Sequence, residues 1–349
     1  MSQVVDRLAE LTGFRDRDVM DVTLVSALRD LLEPQSVAIF RCVGEPGQER
    51  WLTRARLHAD DAVATADPLW VEMELLPLIQ EHPKRVECLQ SRSFLQLQEG
   101  GLWICLFPIA TDREVVGVVE VISTERLKSN EQRTVTSVLR IYHNFQGLLD
   151  YSERDTLTGL LNRKTFEESF LKAVSKLPLR TAAHLLADAL DDGRRHEAGQ
   201  PQYFLGVIDI DHFKRVNDGF GHLIGDEVLL LLSRLMRSSF RFHDLLYRFG
   251  GEEFVVLMRC EDADAAAHAF ERLRHNTEQY VFPQIGKITV SVGFTQVRLE
   301  DSPAAAFDRA DKAVYYAKDF GRNQVHNHAV LVQAGVLQEL AQLSDVELF

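Results

Sequence analysis

The chain has 349 residues, 46% of them hydrophobic and 26% charged, which is the length of two domains and enough apolar material for two cores. Its formal charge of −13 argues against general nucleic-acid binding, which needs basic side chains to neutralise phosphates, but leaves room for a nucleotide at a local site. Four scattered cysteines, Cys42, Cys88, Cys105 and Cys260, lack the paired spacing of a zinc site and read as free thiols, with Cys42 and Cys105 in apolar, strand-like runs and expected to be buried.

The opening MSQVVDRLAE is charged and helical in type, unlike a secretory leader, and no apolar run approaches a membrane span. A cytoplasmic protein without a spanning segment is expected. Helical spacing runs through Val4, Val5, Leu8 and Leu11, then through Val22, Leu24, Val25, Leu28 and Leu31. Val37 to Cys42 and Trp51 to Leu57 have strand character. After a mixed segment, Leu102 to Ile109 and Glu114 to Ser123 form a strand pair around Thr111-Asp112-Arg113. This order resembles a GAF domain, a small ligand-sensing α/β module. The likeness rests on pattern and position alone, and a PAS-like or unrelated α/β module fits the same pattern. His58, His82, Trp70, Trp103 and the cysteines are candidate ligand contacts; none stands out, and no ligand is named.

From Glu131 to Tyr151 the apolar residues Val135, Val138, Tyr142, Phe145 and Leu149 alternate steps of three and four. That spacing suits a short parallel coiled coil, or equally one buried face of a helix packed on its own domain. Its position between two domains favours the coil. The expected division is a sensor over 1–128, a helical linker over 129–153, a second domain over 154–330 and a tail over 331–349.

In the second domain Arg163 to Lys176 reads as an amphipathic helix. Pro178 to Pro201, with the charged tract Asp191 to Glu197, reads as a solvated insertion. Tyr203 to Ile210 is a β-branched and aromatic run that ends in Asp209-Ile210-Asp211. Further helices are expected over Val228 to Phe240 and Ala263 to Glu278, a strand over Ile288 to Phe294, and a last helix over Pro303 to Phe320. Between them Arg248-Phe249-Gly250-Gly251-Glu252-Glu253-Phe254 is a hairpin signal, because glycine accepts the positive φ of a tight turn. Two strands that each end in acids can bring carboxylates together at one edge of a sheet. Hard divalent cations take such oxygen-rich arrangements, with substrate phosphates completing the shell.

Several blocks now stand in one order: Asp155-Thr156-Leu157-Thr158-Gly159 through Asn162-Arg163, Asp209 through Lys214, Asn217-Asp218, Phe220-Gly221-His222, Gly225-Asp226, the hairpin, and Ala310-Asp311 through Gly321-Arg322-Asn323. Together they resemble a GGDEF domain, the diguanylate cyclase family, over about residues 152 to 328. The resemblance implies an α/β (α+β) fold of nucleotide-cyclase or palm type, ferredoxin-like, with a central antiparallel sheet. It implies a homodimer that condenses two GTP into cyclic di-GMP and two pyrophosphates with Mg²⁺ or Mn²⁺. It further implies that Asp209, the Ile210 carbonyl, Glu252 and Glu253 hold metal, with Glu252 the leading candidate to assist deprotonation of the attacking hydroxyl. By the same resemblance Asn217 and Asp226 read the guanine edge, and His222 lies near base and ribose. Gly250 and Gly251 admit the nucleotide, while Lys214, Lys318 and Arg322 meet phosphates. Lys318 and Arg322, four apart, are expected on one helical turn.

Asp226 is also expected at a helix N-cap. Arg241 and Asp244 resemble the RxxD site for inhibitory product, and Arg272 the auxiliary arginine of a neighbouring domain. The rival readings are a catalytically inactive cyclic di-GMP receptor and a GTP-binding regulator. Intact acids at Asp209, Glu252 and Glu253 favour the enzyme.

Overall fold

The computed structural model describes residues 16–44, 47–68, 71–110, 115–175 and 202–338. The expectations for Val4 to Leu11, Trp70, the Thr111 to Arg113 turn, the 178–201 insertion and most of the tail lie outside them. The chain divides into two compact units, Met1–Ser152 and Glu153–Phe349. No helix among the described residues is long and apolar enough to cross a membrane.

The first unit is a five-stranded antiparallel sheet in the order β2-β1-β5-β4-β3. Its strands are β1 (Ser36–Val43), β2 (Arg50–His58), β3 (Leu95–Glu99), β4 (Leu102–Ala110) and β5 (Val115–Ser123). Helix α1 (Arg17–Leu32) starts where the Asp16 carboxylate accepts from the Asp18 and Val19 N–H groups. Alternation along the strands sends Val37, Ile39, Leu57, Phe107 and Val119 to one face, against Met20, Leu24 and Leu28 of α1. The other face carries Ala38, Phe40, Trp51, Leu106 and Val118. Over it lies α2 (Pro83–Ser91), whose Cys88 is in the same apolar cluster.

Helix α3 (Ser129–Glu153) corrects the coiled-coil reading. Val135, Val138, Tyr142 and Leu149 are buried in the sheet-and-α1 core of their own unit, with Phe145 packed against it. The spacing reported a buried face, and the unit's own sheet is what covers it. Cys88 and Cys105 are buried free thiols, whereas Cys42 and Cys260 are only half-buried. Burial pushes the Cys88 thiol up to about 12.

The second unit contains a six-stranded sheet in the order β11-β10-β7-β9-β8-β6. Its strands are β6 (Leu161–Asn162), β7 (Gln202–Ile210), β8 (Leu245–Gly250), β9 (Glu253–Cys260), β10 (Val290–Gln296) and β11 (Val325–Asn327). The central four pair antiparallel, and the short edge strands β6 and β11 pair parallel. Six helices accompany them among the described residues: α4 (Arg163–Val174), α5 (Phe213–Phe220), α6 (His222–Ser239), α7 (Ala263–Gln279), α8 (Pro303–Asp319) and α9 (His328–Gln333). Phe204, Ile208 and Ile210 of β7 pack with Leu229, Leu232 and Met236 of α6 and with Phe270 of α7.

Residues of the opposite parity, Leu205, Val207 and Asp209, face the side from which Lys318 of α8 approaches. Helix α8 lies close on this side because β10 offers a glycine. A Cβ at Gly293 would stand 2.2 Å from the Ala310 carbonyl oxygen. A buried clamp fixes its start: Arg309 donates to both Asp301 carboxylate oxygens, at 2.7 and 2.6 Å, and to the Gln296 carbonyl.

Candidate active site

The acids converge at the end of β7. Antiparallel register sets Asp209 directly opposite Glu253. Glu252 lies in the turn between β8 and β9, outside either strand, so strand alternation does not separate the two glutamates. Both acidic charges reach Asp209. Burial pushes the Asp209 carboxyl up to about 6; Lys318 opposes that shift, and the charges of Glu252 and Glu253 add to it. Burial likewise raises Glu252, which Lys318 opposes and Glu253 reinforces. Lys318 Nζ lies 2.7 Å from Asp209 Oδ2, while the buried Oδ1 has no hydrogen-bond partner.

This is an electron-rich edge with one lysine against three carboxylates, and a divalent cation fits it. An orphaned buried oxygen on Asp209, and Asp209 and Glu252 carboxyl groups raised by burial and by neighbouring acids, are what a cation would relieve. Among the described residues no group of three or more His, Cys, Asp or Glu is arranged to hold a metal ion. A cation held here would need further oxygen ligands, of the kind that substrate phosphates supply.

The hairpin is held open-ended. Gly250 and Gly251 take φ +153° and +51°, and a Cβ at either would meet nothing within 4 Å, so their backbone borders free space. Pairing shifts register between Arg248 and Gly250. Arg248 then reaches past the shift: its Nε and Nη2 donate to the Gly251 carbonyl at 3.2 and 3.0 Å, and Nη1 donates to Asp155 Oδ1 at 3.1 Å. Burial alone would raise the Asp155 carboxyl, but the Thr158 hydroxyl and N–H and the Arg248 guanidinium outweigh it and hold it low. No role was foreseen for Arg248 or Asp155. The available signal was a strand arginine placed two residues before a glycine turn.

Asp211 is not a second site acid. It accepts from Thr289 Oγ1 at 2.6 Å, Ser291 Oγ at 2.7 Å and the Asn323 N–H at 3.0 Å. It thereby ties the end of β7 to β10 and to the loop after α8. That loop corrects another expectation. Helix α8 ends at Asp319, Gly321 takes φ +121° and Arg322 takes φ +63°. Lys318 and Arg322 therefore do not share a helical turn. Lys318 stays on the helix and pairs with Asp209, while Arg322 sits in a left-handed cap, its N–H on the Ala317 carbonyl.

Lys214 and Asn217 lie on α5, and His222 and Asp226 on the first turns of α6, both just beyond β7. Lys214, His222 and Asp226 are exposed. Asn217 is half-buried, and a Cβ at Gly225 would stand 2.0 Å from its Oδ1. That glycine is what lets the amide nest against α6. Asp226 is not an N-cap: Gly221 holds that position and Asp226 lies inside the helix.

Farther along the domain, the Arg241 N–H donates to Asp244 Oδ2 at 2.8 Å. Burial pushes the Asp244 carboxyl up to about 6, opposed by the Arg241 N–H and by the charges of Arg241 and Arg272. Its Oδ1 is buried without a hydrogen-bond partner, with His243 Nε2 3.9 Å away. Arg272 is near Asp244 of its own domain and donates Nε and Nη2 to the Ser239 carbonyl at 2.9 and 2.5 Å.

Residues 152–324 match the family described as "Diguanylate cyclase, GGDEF domain". These residues belong to the GGDEF family. The GGDEF segment brings similarity to the diguanylate cyclase DgcP of Pseudomonas aeruginosa, 36% identical over 220 residues, which are 61% of this chain and 29% of that protein. The response regulator PleD of Caulobacter vibrioides is 36% identical over 207 residues, 57% of this chain and 41% of that protein. The chain thus spans less than half the length of these relatives. Among solved structures, the GGDEF domain of DgcB from Caulobacter crescentus in complex with c-di-GMP is 31% identical, covers 51% of this chain and 96% of its own, and has a TM-score of 0.42.

Proposed function

We propose that the chain is a diguanylate cyclase. Two GTP, one on each copy of a homodimer, become cyclic di-GMP and two pyrophosphates, with the N-terminal unit, a GAF-like sensor, setting the rate. The observation that carries this reading is the juxtaposition of Asp209 with Glu252 and Glu253, with an unpartnered Asp209 oxygen. The membership of residues 152–324 and the similarity to named cyclases support it. For the N-terminal unit, support comes from an antiparallel sheet with helices on one face and α2 over the other.

Asp209, the Ile210 carbonyl, Glu252 and Glu253 would hold the Mg²⁺ or Mn²⁺ ions, which would neutralise the triphosphate and lower the hydroxyl pKa. The chain's own groups supply the positioning. Glu252, a carboxyl raised above its usual range, would accept the proton of the 3′-hydroxyl. That oxygen then bonds to the α-phosphorus of the GTP on the other copy, and the bond to pyrophosphate breaks. Lys318 would pass from Asp209 to the phosphates, freeing a carboxylate as the substrate enters, with Lys214 and Arg322 as further phosphate contacts. Asn217 and Asp226 offer acceptors to the guanine N–H edge, with His222 beside them. The free space over Gly250 and Gly251 admits the nucleotide. Purified full chain incubated with GTP and Mg²⁺ should yield cyclic di-GMP by chromatography, at a rate per chain that rises with protein concentration. No product at any concentration would refute the reading.

Product inhibition is proposed at Arg241, Asp244 and Arg272. An arginine fork suits guanine and phosphate, and ionised Asp244 accepts from guanine N–H. Arg241→Ala should weaken inhibition without lowering the initial rate. Because Asp244 titrates near 6 when folded, inhibition should weaken as pH falls through about 6, and Asp244→Asn should flatten that dependence. For folding, the sign is the reverse. A raised folded pKa stabilises below the unfolded value of 3.8, and this contribution is lost as pH rises through the folded value. Inhibition unchanged in Arg241→Ala would assign these residues to a structural corner.

A further inference from the structure

The face of the first unit beneath α2 should be apolar throughout, as the core side of a sheet is, yet charge is built into it. Register aligns Arg56 of β2, Ala38 of β1, Glu120 of β5 and Leu106 of β4 in one cross-strand row. Ala38 is only a methyl between two charged side chains, which leaves the middle of the row low. From α2, Arg85 closes over it. Its Nε and Nη2 donate to the two Glu120 oxygens at 2.8 and 2.9 Å, and its guanidinium carbon sits 3.5 Å from the centroid of Phe40.

The Arg56 guanidinium lies 5.3 Å from the same ring. His82, the residue before α2, is near enough to feel Arg85, Glu120 and Arg56.

Three bases therefore gather at Glu120, whose two oxygens are both committed to Arg85, and the one further acid that reaches His82 is its chain neighbour Glu81. The Arg56 guanidinium, half-buried, has its ring contact and no hydrogen-bonded acceptor among the described residues. A partly desolvated cation beside a second guanidinium is costly unless an anion joins it. A guanidinium fork is matched in shape by a carboxylate or a phosphate, which it grips through two parallel hydrogen bonds. Burial, then the neighbouring Arg85, lowers the His82 pKa, so its imidazole is neutral near pH 7 and can donate one further N–H.

We infer that this face is a binding site for a small molecule bearing a carboxylate or phosphate, gripped by Arg56 with His82 beside it. The site stands on the first unit alone. It needs neither GTP nor turnover, so an inactive cyclase would leave it untouched. It gives the proposed sensor a ligand class, and the position of Glu120 on β5, whose other-parity residues Val119 and Val121 pack in one core with α3, gives occupancy a route to the helix that leaves the unit.

The test is thermal melting of the full chain titrated with inorganic phosphate and, separately, with sodium benzoate, at ionic strength held constant with sodium chloride. At least one anion should raise Tm along a saturating curve, as a ligand of the folded state must. Response to phosphate alone assigns a phosphate ester, and response to benzoate alone a carboxylate. Arg56→Gln should abolish the response and leave Tm in chloride unchanged or higher, because an unpaired cation is removed. Arg56→Lys, which keeps the charge and loses the fork, should need more anion for the same shift. A flat wild-type response to both anions would overturn the site, as would an Arg56→Gln response equal to wild type.

Discussion

Glu252→Gln is expected to lower kcat by a factor on the order of 10²–10⁴, the usual worth of a general base, while GTP affinity at saturating Mg²⁺ stays within a few-fold. The amide keeps the shape of the side chain in the turn and cannot take a proton. It also removes one of the two acidic charges that raise Asp209, so the Asp209 carboxyl should ionise at lower pH in the variant. The measurement is steady-state turnover with a parallel binding titration of a non-hydrolysable GTP analogue. A kcat within about twofold of wild type would remove Glu252 from proton transfer.

The largest loss of stability is expected away from the chemistry. The Asp301 side chain is fully buried and meets Arg309 in a bidentate pair, and the Arg298 N–H donates to the same carboxylate at 2.7 Å. Arg309 also donates to Thr295 Oγ1 at 3.3 Å and to the Gln296 carbonyl at 3.1 Å. The cluster pins the first turns of α8 to the end of β10, and α8 delivers Lys318 to Asp209. Asp301→Ala strands a buried guanidinium and should cost about 3–5 kcal/mol, read by urea unfolding. Replacing both partners by leucine and methionine should cost much less, since no uncompensated charge remains. If the single substitution costs under about 1 kcal/mol, the clamp is no more than a surface-like pair.

The site was legible in the sequence where chemistry and local structure coincide. Paired glycines announce a turn and acids beside them announce a site, so the hairpin and the end of β7 could be read residue by residue. Periodicity reports that a face is buried and is silent on what buries it. Val135, Val138, Tyr142 and Leu149 therefore read as a coil seam when they pack on their own sheet. Asp211 resembles Asp209 in one dimension, and only three donors, from Thr289 just before β10, Ser291 on it and Asn323 in the loop after α8, distinguish them.

The end of α8 is legible in the sequence. Gly321 directly follows the Phe320 cap and is the ordinary signal for a left-handed stop. The eight-residue α5 and the two-residue β6 are too short to carry a period, and tertiary contacts decide them. In the first unit, α2 and β3 were hidden in what read as a mixed segment for the same reason.

Mn²⁺ binding followed by electron paramagnetic resonance, in the presence of a non-hydrolysable GTP analogue, tests the convergence of β7 and the hairpin most directly. The wild-type chain should bind the ion with the nucleotide, and Asp209→Asn and Glu252→Gln should each weaken binding by about tenfold or more. Equal Mn²⁺ affinity in wild type and both variants would contradict a shared cation site built from these two acids.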